Sequence, residues 1–180
     1  MHYEAHVADD DLDALAQLVG VQIRQIVCPA VEVAGPWMLA VSFTIQLPSS
    51  RFLILSCDWL ETPVDHLDYY QLSAVISDKP GGIQLVETSG GGVALGYPVS
   101  SIDVAPALCV ERIRVYTTRD SADDSDESVE YDGLVVLDGA DGNRIAICAE
   151  QSIAGRLELT IDQDLIAQAV EHSQVQRLLP

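Results

Sequence analysis

The sequence predicts an α+β chain, mainly antiparallel β, and three observations carry that reading. From Trp37 to Leu47 every odd position is apolar (Trp37, Leu39, Val41, Phe43, Ile45, Leu47), while the even positions run Met38, Ala40, Ser42, Thr44 and Gln46. A period of two sustained over such a length marks a half-buried strand. Pro48-Ser49-Ser50 then supplies turn residues, and RFLIL at 51–55 is apolar on both faces, as a strand with cover on both sides should be. Helical periodicity is confined to the two ends of the chain, predicting one amphipathic helix at each.

In order, residues 1–8 are expected to be loose. Asp9-Asp10-Asp11 open the first helix, since acids suit its positive end, and Leu12, Leu15 and Val19 form its buried stripe up to a stop at Gly20. Val21–Cys28 reads as a strand with a change of phase near Gln25. Pro29 and Gly35-Pro36 bracket a short extended piece, Val31–Val33, ahead of the central hairpin. With Val21–Cys28, that hairpin makes a three-stranded meander. Tyr69–Ser77 and Ile83–Glu87 are further strands around the Asp78–Gly82 turn.

An irregular Gly-rich connection, 88–107, separates the expected halves, 9–87 and 108–179, of one domain. Leu108–Thr118, Val129–Leu137 and Arg144–Ala149 form a second meander, with an acidic hairpin loop at 119–128 and a turn at 138–143. Thr160 with Gln163 forms a capping box for a final helix reaching about Leu178, with Leu165, Ile166, Ala169 and Val170 inward. Displaced by ninety residues, the two meanders overlay in pattern: Gln22-Ile23-Arg24 falls on Arg112-Ile113-Arg114. A pseudo-duplication would leave that trace.

Composition limits function. The 180 residues carry 28 acids against 9 bases, a net charge of −19, with 48% apolar residues. That apolar share supports a core. The charge repels nucleic acid and anionic membranes and attracts a basic protein partner. Neither a membrane-spanning run nor a basic leader is legible, which predicts a cytoplasmic protein. Cys28, Cys57, Cys109 and Cys148 have no metal-knuckle spacing and lie in or beside apolar runs, as reduced buried thiols do. His2 and His6, four apart, would chelate a metal only on a helix with further ligands, so neither metal nor cofactor is expected.

Three stretches are candidate sites. The first is an aromatic-acid cluster, Asp58, Trp59, Glu61, Asp65, His66, Asp68, Tyr69 and Tyr70, just past the central hairpin. Trp and Tyr ringed by polar groups anchor interfaces. Their bland alternative is a core edge with solvated acids. His66 with Asp65 or Asp68 would form a base with an orienting acid, and Cys57 with His66 a nucleophile dyad. The second, Ser89-Gly90-Gly91-Gly92, lacks the Lys-Ser/Thr of a phosphate loop, and Pro98 denies the following helix. It reads as a linker or lid. The third is the acidic loop with Asp123, Asp124, Asp126 and Glu127, which has no glycine at the calcium-loop position. It reads as a solvated tip or a contact for a basic partner.

In size, charge and want of a catalytic motif the chain resembles the small acidic proteins that neutralise bacterial toxins, a likeness of type that carries no residue over. The reading that follows is a non-enzymatic, inhibitor- or immunity-type module binding a basic partner through Asp58, Trp59, Glu61, Asp65, Asp68, Tyr69 and the acidic loop. The alternative is a small-molecule binder or hydrolase with its pocket between the halves. A homodimer is a third arrangement.

Overall fold

The fold is given by a computed structural model, which describes residues 1–81, 84–87, 93–96, 100–121, 127–150, 155–171 and 173–179, those in 84–87, 93–96 and 174–176 without side chains. The elements are β1 (His2–Ala5), α1 (Asp9–Ala16), β2 (Gln22–Cys28), β3 (Glu32–Ala34), β4 (Trp37–Ala40), β5 (Phe43–Gln46), β6 (Phe52–Glu61), β7 (Asp68–Ser77), β8 (Gln84–Glu87), β9 (Val93–Gly96), β10 (Ser100–Asp120), β11 (Ser128–Gly139), β12 (Arg144–Ala149), β13 (Leu157–Thr160), α2 (Gln163–Glu171) and β14 (Gln174–Leu179). It is mostly antiparallel β-sheet, 59% strand, with two helices among the described residues.

Twelve strands form one sheet in the order β3-β4-β13-β12-β11-β10-β2-β5-β6-β7, with β1 beside β11 and β14 beside β10. Strands of both expected halves are thus neighbours in this sheet, while β8 and β9 pair with each other in a separate two-stranded sheet. Their junction is β10. Its first part, Ser100–Asp103, pairs with β2; after an irregularity, Leu108 and Cys109 pair with β2 again, and 110–120 pair with β11. The expected irregular connection 88–107 is therefore corrected: β9 occupies 93–96, and from Ser100 onward the chain is strand. Its alternation is visible in retrospect, with Ile102 and Val104 buried and Ser101 and Asp103 exposed.

The central strand is corrected as well. Trp37–Leu47 is two strands broken at Val41-Ser42, with Val41 54% exposed and Ser42 buried. β4 pairs with β13 and β3, whereas β5 pairs with β2 and β6. The break shifts the inward phase: Ala40 of β4 and Phe43, Ile45 and Leu47 belong to the main core, while Leu39 is buried outside that cluster. The hairpin that follows forms as expected, Phe43 opposite Leu55 and Gln46 opposite Phe52, with Ser50 in the left-handed region at φ 60°.

At the ends, residues 2–5 are not loose but form β1, parallel to β11. α1 stops at Ala16, short of Val19, and Gly20 takes φ 81° as a stop requires. Helix α2 ends at Glu171 rather than near Leu178. β14 follows it because β10 offers an open edge at Ile113–Thr117. The capping residue is Asp162, whose Oδ1 accepts the N–H groups of Asp164 and Leu165. Thr160 instead donates to the Pro36 carbonyl, and Gln163 donates to those of Arg144 and Ile161.

The main core lies inside the curl of the sheet, with α1 contributing Leu12 and Leu15. A second cluster, Tyr116, Leu134, Val136, Ala146 and Ile166, lies under α2. β11 is buried on both faces, since Val135 and Leu137 belong to the first core and Leu134 and Val136 to the second. Ile113 sits at the junction, fully buried and paired with Leu137 and Leu179. Truncating it to alanine is expected to cost about 2–5 kcal/mol in urea unfolding. Val33→Ala, at a 70% exposed position, should stay within about 0.5 kcal/mol of the parent.

Candidate functional site

The aromatic-acid cluster forms the far end of the β6–β7 hairpin. Ten cross-strand pairs hold it in register, from Phe52 opposite Ser77 to Glu61 opposite Asp68. Alternation along β6 puts Leu53, Leu55, Cys57 and Trp59 on one face. Leu53 and Leu55 are buried in the core, but Trp59 lies beyond it and is 58% exposed. Its indole N–H donates to Asp68 Oδ1 at 3.0 Å, which fixes the ring on the surface. Leu60 and Val64 are also exposed, at 38% and 55%. Around these apolar groups stand the exposed acids Asp58, Glu61, Asp65 and Asp68. A large indole ringed by carboxylates is the make-up of an interface anchor.

A buried carboxylate holds the tip of this hairpin. Glu127 Oε2 accepts the Thr62 hydroxyl at 2.5 Å and the Asp65 N–H at 2.8 Å. Tyr3 donates its hydroxyl to the same side chain. Thr62 closes the turn, since its N–H reaches the Leu67 carbonyl at 3.0 Å and its Oγ1 accepts the Leu67 N–H at 2.9 Å. Burial alone would raise the Glu127 pKa, but the hydrogen bonds from Thr62, Asp65 and Tyr3 outweigh it and leave it below the ordinary value. Glu127 was expected as a solvated contact for a partner; it is 3% exposed and works inside the fold. Asp123, Asp124 and Asp126 lie outside the described residues, as does most of the Gly-rich run.

Tyr69 is half-buried and stacks on Tyr131 with ring centroids 5.4 Å apart, and Tyr70 is buried. Tyr70 is thus part of the core, while Tyr69 packs on the sheet and keeps part of its surface accessible. The catalytic arrangements do not assemble. His66, with φ 54°, points Nδ1 at Glu61 Oε2, 3.3 Å away, while Asp68 is engaged by Trp59. Cys57 donates its thiol to the Arg156 carbonyl, and burial, followed by the charges of Asp58 and Glu150, pushes its pKa to about 11. A thiol so raised is a poor nucleophile at neutral pH.

A groove of about 490 Å³ lies between β2 and β5, which pair only at Val27 and Thr44. Arg24 is the one charged residue on its walls; neither histidine nor carboxylate lines it. It runs within the first half of the chain, away from the boundary where the alternative reading put a pocket. Among the described residues no helix is long and apolar enough to cross a membrane. No family model, curated protein or solved structure matches the chain.

Thr62 did not stand out in the sequence, and Glu127 stood out only as one acid of the loop, not as an anchor. They are 65 positions apart, and no local pattern joins them. Glu127→Gln should lower the melting temperature at neutral pH. Because the folded-state pKa is depressed, the stability it supplies is present above the ordinary glutamate value of 4.5 and lost as pH falls through the folded value. The parent should therefore lose melting temperature below that pH more steeply than Glu127→Gln does; parallel acid profiles would contradict the role. In the folded protein at pH 8, iodoacetamide should modify the exposed Cys109 well before Cys57, as peptide mapping can show.

Proposed function

We propose that the protein is a non-enzymatic binding module, of the inhibitor or immunity type, that docks a basic protein partner on the tip of the β6–β7 hairpin. The observation that carries this reading is Trp59. A large apolar ring lies open to solvent at the end of a fully registered hairpin, tied to Asp68, with Glu61 on the same face of β6 and the exposed acids Asp58 and Asp65 elsewhere on the hairpin end. Exposed indoles held in one orientation lose little entropy on binding. The acids favour positively charged partners and raise the encounter rate in low salt. The Glu127 anchor supports the same reading, because it fixes the hairpin tip before any partner arrives. A net charge of −19 extends the attraction beyond the contact itself.

The test is recovery of a basic partner by the tagged chain at low and high salt, followed by affinity measurement on variants. Trp59→Ala should weaken binding by about 30-fold or more, the scale of a buried interface aromatic. Asp58→Asn combined with Glu61→Gln should chiefly slow association and flatten its salt dependence. Binding indifferent to Trp59, or recovery of no basic protein in either salt, would defeat the proposal.

A further inference from the structure

Several edges of the sheet are filled by the chain itself: β14 lies along β10, β1 along β11, and α1 caps part of β7. The seam between β2 and β5 is not filled. These strands pair only at Val27 and Thr44. Beyond that point residues 22–26 have ladder partners on the β10 side alone, and Ile45 and Gln46 on the β6 side alone. A backbone edge left open in this way is a template for another strand.

The groove of about 490 Å³ occupies this seam. It closes at Val27 and Thr44, where Thr44 Oγ1 accepts the Gly81 N–H at 3.1 Å. From there the strands part toward Gln22 and Pro48, both exposed. Its deep part is lined by Val21, Ile23, Ile45 and Leu47, all buried. Five residues of β2 give it a length of about 16 Å, enough for a short extended segment.

Arg24 gives the groove its charge. Its Nε and Nη2 both donate to Gln22 Oε1, at 3.2 and 2.9 Å, which holds the guanidinium along the strand and leaves Nη1 to donate elsewhere. Arg114 and Arg156 are paired with acids. Among the described residues Arg24 is in no such pair, although the net charge is −19. Asp103 faces Gln25 from β10 and takes its amide at 3.2 Å. A guanidinium without a carboxylate, beside open backbone and a buried apolar lining, complements an extended chain that carries an acid.

We propose that this groove binds an extended peptide segment of another protein, added as a strand between β2 and β5, in which apolar residues alternate with an acid received by Arg24. The pleat dictates the alternation: every second side chain enters the deep part, and those between point back toward Arg24. Backbone hydrogen bonds supply the affinity and the carboxylate supplies the selection. The site lies at the Phe52 end of β6, the opposite end from Trp59, and prefers the opposite charge.

The capped pentapeptide acetyl-Val-Glu-Val-Glu-Val-amide, titrated into the full chain and followed by amide shifts in nuclear magnetic resonance, tests this. One peptide per chain is expected, with hydrogen exchange slowed at backbone amides of β2 and β5. Arg24→Gln should weaken binding about tenfold or more, the scale of a lost charge-assisted bond. Lys79→Gln, an equal loss of charge outside the groove, should leave it unchanged. The glutamine analogue of the peptide should bind the parent and Arg24→Gln alike. An analogue methylated on its backbone nitrogens should bind at least tenfold more weakly than the parent peptide. The melting temperature of Arg24→Gln shows whether the variant is folded. Equal weakening by Arg24→Gln and Lys79→Gln would reduce the effect to net charge, and undiminished binding of the methylated peptide would exclude strand addition. Protection of the same amides that rises with protein concentration, without peptide, would put a second copy of the chain in the groove. Each of these, like the absence of binding at millimolar peptide, overturns the proposal.

Discussion

The covalent link between β4 and β5 constrains everything else. These strands lie six places apart in the sheet order. In a flat sheet that separation would be about 29 Å. Yet only Val41 and Ser42 join them, and three Cα steps reach about 11 Å at most. The sheet must therefore curl until its two ends approach. The curl creates the enclosed core shared by Ala40, Phe43, Ile45 and Leu47. It also brings β7, the last strand on one side, against β11 from the middle of the order. The Tyr69–Tyr131 stack and the bond from Thr62 to Glu127 are products of that approach.

A curled sheet that does not close leaves edges and buried polar groups to be satisfied. α1 covers part of the β7 edge: Asp11 Oδ1 accepts the Ala74 N–H at 2.6 Å and the Ser73 hydroxyl at 3.2 Å. That bond blocks the place where another strand would pair. Along β10 and β11 the chain's own ends serve, β14 filling one flank and β1 the other. Where β1 ends, the buried Asp132 takes the Val7 N–H, the Thr117 hydroxyl and the His6 ring. Its charge is thus spread over groups from two segments, residues 6–7 and β10. Arg156 does similar work at the opposite rim, gripping Glu150 with two nitrogens and Glu32 with a third.

Much of this was legible locally. The β5–β6 hairpin, β12, the acidic opening of α1 and the stop at Gly20 follow from alternation, turn residues and the helix dipole. What failed did so because a distant partner decided the outcome. Gln174–Leu179 continued a helical pattern well enough to be read as helix, but an open stretch of β10 captured it as strand. Trp37–Leu47 showed an unbroken alternation, but β4 is apolar on both faces, so the corner at Val41-Ser42, where the inward residues pass from Ala40 to Phe43, left no mark. Residues 1–8 looked too polar to order, yet His2–Ala5 pairs with β11 through its backbone, which composition does not report. At the candidate site, Trp59 and its acids were legible as a cluster. The Glu127 anchor was not, because it exists only once the sheet has curled.

The acids divide by their use in the fold, and that division bears on function. Glu127, Asp132, Asp138 and Glu150 are drawn into hydrogen bonds or ion pairs that hold segments together. Removing one would leave donors stranded and report on folding. Asp58 and Glu61 are different: they are exposed, and their carboxylates fasten no buried group. Surface charges of this kind contribute little to stability. Glu61 faces the exposed His66 ring, 3.3 Å away, at the open end of the hairpin. A substitution at Asp58 or Glu61 should therefore leave the core undisturbed, whereas one at Glu127, Asp132, Asp138 or Glu150 strands the donors those carboxylates hold.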